Sequence, residues 1–436
     1  MISSLTRLFS IFPLAGLVLG LASNQGVNTD VLKRFPRVTG IKNPAALEDL
    51  EKNITAYTVP ANYGSATFNQ IRPLYPGAVG IVGNEGAIVS HFSTGYSLKY
   101  ADANGTELPK KDWVPLTKDS IFDMASLTKL FTAILAMQQL DKGTIALNEK
   151  VASYLPGFEA GGKENVTVRM LLTHTAGFDA DPDPGLWYGY ATVEERRQAI
   201  LNTPVINTPG KRYLYSDLSF MSTQLLLEQV TSTPLDELLK QGLTGPLNMT
   251  STFFNRGNVE YEANELIAKG TAVTEYQIEV LGDIEPQRRQ PVWGTVHDEN
   301  AWGVDGVSGH AGLYSNAEDL GIFCQMILNN GTYGGTRVLK AETVDLIFTN
   351  FNTAFPGNAH SLGFELDQHY WSGPMQSLQT AGHTGFTGTS LAIDRPSNTF
   401  FVLLTSRVHP SRSWSSINIA RINMGYFVAK ALGRDV

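Results

Sequence analysis

A serine and a lysine three positions apart, Ser126 and Lys129, stand in the stretch "FDMASLTKLFTAILAMQQLDKG", residues 122 to 143. The remainder is rich in Leu, Ile, Ala, Phe and Met, and it predicts an amphipathic helix that begins near Ser126 and stops at Lys142-Gly143. Residues three apart share a helix face, so the Ser126 hydroxyl would lie beside the Lys129 amine. The apolar neighbours Phe122, Met124, Leu127, Leu130 and Phe131, together with the positive end of the helix dipole, disfavour a charged amine there. A desolvated lysine can take a proton from serine as a general base. The serine would then be the nucleophile, and the first amides of the helix would supply part of an oxyanion hole. A chain of this length yields about one such tetrapeptide by chance, so the pair gains weight only from its company.

Two further stretches supply that company. Tyr215-Ser216-Asp217 directly precedes the helical pattern "DLSFMSTQLLLEQVTST". A tyrosine hydroxyl near a lysine relays protons, and Asp217 can accept from the lysine or from a substrate amide. The alternative is a core aromatic with Asp217 as a helix cap. His383-Thr384-Gly385 stands at the entry to the predicted strand "GTSLAID". Small residues there let a substrate approach the strand edge, and an edge amide can donate to an oxyanion. The alternative is a glycine-rich turn with an incidental histidine.

These residues must be positioned by elements far apart in the chain. "GAVGIVGNEGAIVSHFSTGYSL" reads as a hairpin turning at Gly83-Asn84-Glu85-Gly86. The long helix near Ser126 follows, and then a mostly helical middle that includes the short helix of "VTVRMLLTHTAGF". Strand signals return in "LGFELDQ", "GTSLAID" and "FFVLLTS", and "SINIARINMGYFVAKALG" closes the chain as a helix. Strands from both ends of the chain with a helical region between them imply an α+β fold rather than alternating βαβ units.

Ser-x-x-Lys, then Tyr-x-Asp, then His-Thr-Gly, in this order, resembles the motif set of the serine β-lactamase and penicillin-binding-protein superfamily. The text around the motifs resembles the branch related to class C β-lactamases, D-alanyl-D-alanine carboxypeptidases and their esterase relatives. The likeness is carried by "FDMASLTKLFTAILAMQQLDKGTIALNEKVASYLP", "VTVRMLLTHTAGF", "YSDLSF", "GPLNMTSTFF", "VHDENA", "GVSGHAGLYSNAEDLGIFCQMIL" and "GHTGFTGTSLAID", and it runs from about residue 75 to about residue 430. The resemblance implies a β-lactamase/transpeptidase-like fold: an antiparallel sheet flanked by helices, a mainly helical domain inserted after the nucleophile helix, and an active site in the groove between them. The corresponding boundaries are an N-terminal extension over 23–75, a sheet domain over 76–143 and 305–436, and the inserted domain over 144–304.

The resemblance also implies roles. Ser126 would be acylated, Lys129 would activate it, and Tyr215 would share in proton transfer. The amides of Ser126 and Phe386 would form the oxyanion hole, and Asp217, His383, Thr384, Gly385 and Phe386 would contact substrate. Two residues depart from the common pattern. Asp217 stands where relatives commonly have asparagine, and His383 where β-lactamases and many penicillin-binding proteins have lysine. A histidine weakens a fixed positive charge and is expected to titrate in the neutral range, which favours ester hydrolysis over β-lactam or D-Ala-D-Ala chemistry. The expected substrate is a small-molecule or peptide acyl compound. The alternatives are acyl transfer to an alcohol or amine, carboxypeptidase or β-lactamase activity, and a non-catalytic binding protein that keeps the fold.

The chain has 436 residues, 42% of them hydrophobic, and a formal net charge of −8. A mildly acidic chain without basic runs is a poor match for nucleic acid or an anionic membrane, and no stable membrane partner is expected. The single cysteine, Cys324, excludes an intrachain disulfide and reads as a buried small hydrophobe. Residues 1–22 read as a signal peptide, with Arg7 before an apolar run, or as an uncleaved anchor. Secretion is the expectation, with sequons at Asn53, Asn104, Asn165, Asn248 and Asn330 as candidate glycosylation sites. His297 and His310 lack metal-ligand spacing, so no metal or cofactor is expected. Trp187, Trp293 and Trp302 are candidates for an acyl pocket, with core packing as the alternative.

Overall fold

The hairpin of the sequence forms as strands β1 (Gly77–Asn84) and β2 (Ala87–Leu98), antiparallel and joined through Glu85-Gly86. Both turn residues have positive φ, 50° and 78°, as a tight two-residue hairpin turn requires. The computed structural model describes residues 31–34, 40–256, 265–277 and 288–436. The predicted signal peptide over 1–22 lies outside the described residues.

The sheet is completed by β3 (Val114–Pro115) and, from the other end of the chain, by β7 (Glu365–Leu366), β8 (Thr380–Thr384), β9 (Thr389–Asp394) and β10 (Thr399–Thr405). Its seven strands run in the order β7-β8-β9-β10-β1-β2-β3, every neighbour antiparallel. β10 is buried along its whole length, and its side chains alternate between the two faces. Phe400, Val402 and Leu404 pack with the core around helices α2 (Thr128–Lys142), α4 (Asp217–Thr231) and α5 (Ala317–Leu328). Phe401 and Leu403 pack with α1 (Ala45–Ala56) and α6 (Asn418–Ala431), the first and last of the labelled helices. The fold is therefore α+β, with an antiparallel sheet between helical layers. Among the described residues no helix is long and apolar enough to cross a membrane.

A three-stranded sheet ties the middle of the chain to the ends. β6 (Leu313–Ser315) lies between β4 (Phe122–Asp123) and β5 (Phe253–Phe254). α3 (Val168–Leu172) packs on α4, and α4 on α2, so the tyrosine motif at the head of α4 faces the head of α2. α2 ends as the sequence predicts, with Gly143 in the left-handed region at φ 72°.

Two local expectations need correction. Ser126 does not sit in the first α-turn but in a 3-10 turn, Ala125–Leu127, and the α-helix begins at Thr128. His383-Thr384-Gly385 does not lead into a strand from a loop; His383 and Thr384 end a strand of their own, β8, that pairs with both β7 and β9.

Candidate active site

The turn that presents Ser126 is held from several sides. Ala125 adopts φ 46°, a left-handed conformation that costs a non-glycine residue about 1–2 kcal/mol. Asp123, itself buried, offsets this by accepting from the Ala125 amide at 2.8 Å through Oδ1 and from the His297 amide at 2.6 Å through Oδ2. The Met124 amide donates to Leu313 O at 2.8 Å. Thr387 Oγ1 donates to Asp123 O at 2.8 Å, and Thr389 Oγ1 donates to Met124 O at 3.0 Å. The nucleophile turn is thus fastened to the end of β8 and the start of β9.

Lys129 is fully buried. Its Nζ donates to Ser126 Oγ at 2.9 Å and to His310 O at 3.2 Å, lies 2.7 Å from Asp217 Oδ1, and sits 4.9 Å above the Tyr215 ring. Two further oxygens, His310 O and Asp217 Oδ1, therefore fix the amine against the serine hydroxyl. The Tyr215 ring packs against His174 with centroids 4.5 Å apart and the ring planes tilted by 32°. His174 Nδ1 accepts from the Ser216 amide at 3.0 Å, which fixes its proton on Nε2, and Ser216 Oγ donates to Asp179 O at 2.6 Å. Burial, and then the charge of Asp217, push the Tyr215 hydroxyl well above its usual range, although its hydrogen bond with Ser126 pulls the other way. It remains a proton donor at neutral pH.

The opposite wall is the turn after β8. The Gly385 amide donates to Thr389 O at 2.8 Å, and the Phe386 amide has no hydrogen-bond acceptor among the described residues. Arg421 of α6 donates through NH2 to Gly385 O and Thr389 O, each at 2.9 Å, and Arg407 Nε donates to Phe386 O at 2.8 Å. The exposed Phe386 ring has the Arg407 guanidinium 4.4 Å from its centroid and the His297 ring 5.7 Å away. Between the two walls is a cavity of about 450 Å³ lined by Ser126, Tyr215, His383, Thr384, Gly385 and Phe386, among others.

The tertiary structure therefore brings Ser126, Lys129, Tyr215, Asp217, His383, Thr384, Gly385 and Phe386 to one place. It overturns the expected titration of His383. The imidazole is buried, its Nδ1 donates to Thr384 O at 2.7 Å, and burial followed by the charge of Lys129 pushes it down to about 3. It is neutral throughout the neutral and mildly acidic range. Asp123, His174, Arg407 and Arg421 were not singled out from the sequence: the last three act on backbone groups remote from their own positions, and Asp123 joins the nearby Ala125 amide to the distant His297 amide.

His310 and His297 support the site. His310 hydrogen-bonds Ser308 Oγ at 2.8 Å and Asp298 Oδ1 at 3.0 Å, and His297 Nε2 pairs with Glu275 at 2.8 Å. Asp217, Asp298 and His310 converge within 4.8 Å. Burial pulls the His310 pKa down, but Asp298 and Asp217 outweigh it and raise it. None of Trp187, Trp293 and Trp302 lines the cavity. Asn104, Asn165, Asn248 and Asn330 are exposed, whereas Asn53 is half-buried and accepts from Asn423 at 3.1 Å.

Buried neutral histidines make stability depend on pH. Burial pushes His360 down to about 4, His383 and His409 to about 3, and His174 well below its usual value. Below the unfolded-state pKa of about 6.5, unfolding takes up a proton at each. Asp181 and Asp319, raised to about 6 by burial, and Asp123, also raised by burial, release protons in the same window. Asp181 is exposed in area, so its share is discounted for solvent screening. Uptake exceeds release, and we expect the unfolding free energy to fall by about 2 kcal/mol per unit as the pH drops from about 6 to about 5. Denaturant titrations across that window check this, and a flat or rising stability contradicts it.

Comparison with known proteins agrees with this geometry. A family model described as Beta-lactamase matches residues 73–423. The chain is 31% identical over 353 residues to a protein of Escherichia coli (strain K12) named "Putative D-alanyl-D-alanine carboxypeptidase", covering 77% of this chain and 79% of that protein. Among solved structures it is similar to "EstCE1, a hydrolase with promiscuous acyltransferase activity" (TM-score 0.64, 18% identity, 88% of this chain and 99% of that one). It is also similar to a penicillin-binding protein homologue from Caulobacter crescentus (TM-score 0.63, 16% identity, 91% and 99%).

Proposed function

The chain belongs to the Beta-lactamase family of serine hydrolases, and from that premise we propose that it hydrolyses an ester or amide through an acyl-enzyme at Ser126. The observation that carries this reading is the 2.9 Å hydrogen bond between Lys129 Nζ and Ser126 Oγ, made by a lysine with no solvent exposure. As Ser126 Oγ attacks the substrate carbonyl, its proton passes to Lys129, which acts as the neutral amine. Tyr215, protonated at rest, delivers its proton to the leaving group and is reprotonated from Lys129. The amides of Ser126 and Phe386 face the developing oxyanion, a contribution worth about 3–4 kcal/mol per donor in comparable sites. Water then enters by the reverse path and frees the acid. The apolar N-terminal segment and the sequons support a secreted enzyme, with Asn104, Asn165, Asn248 and Asn330 as its accessible glycosylation sites. Treatment with a fluorophosphonate probe tests the reading. An adduct on Ser126 is expected, and a protein that carries none is a non-catalytic member of the fold.

The neutral His383 sets a preference within this class. It offers no cation where a substrate carboxylate would lie, so neutral esters should outperform carboxylate-bearing analogues. Because its pKa is about 3, His383 should add no pH dependence to that preference between about pH 5.5 and about pH 8. His383→Lys should shift the preference toward the carboxylate analogue by about 1–3 kcal/mol, the scale of a charge-assisted hydrogen bond. The measurement is kcat/KM for a neutral aryl ester and its carboxylate analogue in both proteins. An identical ratio in the two proteins would remove His383 from substrate recognition.

A further inference from the structure

Glu365 supplies the one carboxylate among the residues lining the cavity. It opens β7, whose two residues pair with Gly382 and Ala381 of β8. It therefore stands where β7 ends and the edge of β8 runs on uncovered through His383 and Thr384. Tyr370 Oη and Trp371 Nε1 both donate to Glu365 Oε2, at 2.6 and 2.7 Å. These two donors orient the carboxylate, and Oε1 accepts no hydrogen bond among the described residues.

Two arginines also line the cavity, and hydrogen bonds hold both in place. Arg421 donates to Gly385 O and Thr389 O through NH2 and to Asn418 Oδ1 through NH1. Arg407 donates to Phe386 O, Arg412 O and Ser415 O. Lys129 pairs with Asp217, and His383 is neutral with its Nδ1 proton on Thr384 O. Among the described residues no cation lies within ion-pair distance of Glu365, although Arg421 feels its charge. That charge adds to the burial that raises the Tyr213 and Tyr370 hydroxyls, and it reaches Tyr215.

We propose that the cavity selects substrates bearing a protonated amine, which Glu365 Oε1 receives while the scissile carbonyl lies at Ser126. An ammonium on a carboxylate already fixed by two donors gains a charge-assisted hydrogen bond in a site partly withdrawn from water. A neutral group of the same size gains only packing.

This inference rests on the acyl-enzyme reading, and the test separates the two. Turnover of a neutral short-chain aryl ester by the purified full-length protein is inhibited with n-butylammonium, 1-butanol or butyrate. In the wild type the ammonium should inhibit competitively with a constant about tenfold below that of the alcohol, and butyrate should be weaker than the ammonium. In Glu365→Gln, which keeps an acceptor for Tyr370 and Trp371, ammonium and alcohol should inhibit equally, each constant being read against the variant's own neutral-ester turnover. Equal constants in the wild type, or an ammonium preference that survives in Glu365→Gln, overturn the proposal. If Glu365→Gln fails to fold, the wild-type order of the three inhibitors decides by itself. If the protein turns over no ester and Ser126 takes no fluorophosphonate, the acyl-enzyme reading fails. The rise in Tm with n-butylammonium over that with 1-butanol then tests Glu365, and an equal rise overturns the proposal.

Discussion

Ser126→Ala should lower turnover of a good aryl ester by about a thousandfold or more while leaving the fold intact, because Ser126 gives up one hydroxyl at the cavity wall. Lys129→Ala should cost nearly as much activity, and the double variant should be no worse than either single one, since the nucleophile and its base act as a unit. A double variant about a thousandfold below the singles would mean that the two do not cooperate. The lysine change has a second effect that the serine change lacks. Lys129 is fully buried against Asp217 at 2.7 Å, and removing one partner of such a pair leaves the other uncompensated at about 3–5 kcal/mol. Lys129→Met should therefore be destabilised as well as inactive. Lys129→Met combined with Asp217→Asn should recover most of the stability and none of the activity. Urea titration and ester kinetics on the same preparations measure both, and recovered activity in that pair would dismiss Lys129 as the base.

Gly385→Ala should lower kcat by about a hundredfold or more with a smaller change in KM. A Cβ at Gly385 would fall well inside van der Waals contact of Thr389 Oγ1 and Met124 O. Those atoms belong to the contact that fastens the Ser126 turn to the end of β8, because Thr389 Oγ1 donates to Met124 O. Met124 O is backbone and cannot rotate away, so the added methyl must push the two walls apart. The Phe386 amide would then move away from Ser126, and loss of one oxyanion donor costs about 10²–10³ in kcat. The same strain should destabilise the fold by about 1–3 kcal/mol. Unchanged kcat in a folded Gly385→Ala protein would show that the Phe386 amide does not serve the oxyanion.

Much of this site is legible along the chain because its decisive spacings are local. Ser126 and Lys129 meet because three residues make most of a helical turn, and the hydrogen bond between them is one that the tetrapeptide alone predicts. The hairpin at Glu85-Gly86, the stop at Gly143 and the wholly buried β10 follow from turn chemistry and apolar runs in the same way. β8 was less legible. "TAGHT" has neither an apolar run nor alternation, and it is a strand because β7 and β9 lie on either side of it.

What sequence determined by itself was the chemistry on offer: a serine with a lysine one turn away, a tyrosine and an aspartate ahead of a helix, a histidine before a glycine-rich turn, and an α+β order of elements to carry them. Tertiary structure decided the electrical state of that chemistry. His383 appears in sequence as a titrating residue and is neutral in the fold, because burial beside Lys129 penalises its charged form. Asp217 became the partner of Lys129, and Arg421 came from 36 residues beyond Gly385 to grip its carbonyl. Glu365 became the one carboxylate in the cavity wall, oriented there by Tyr370 and Trp371. Desolvation and Coulomb interactions depend on distance and burial in space, and residue types in order along a chain do not specify either.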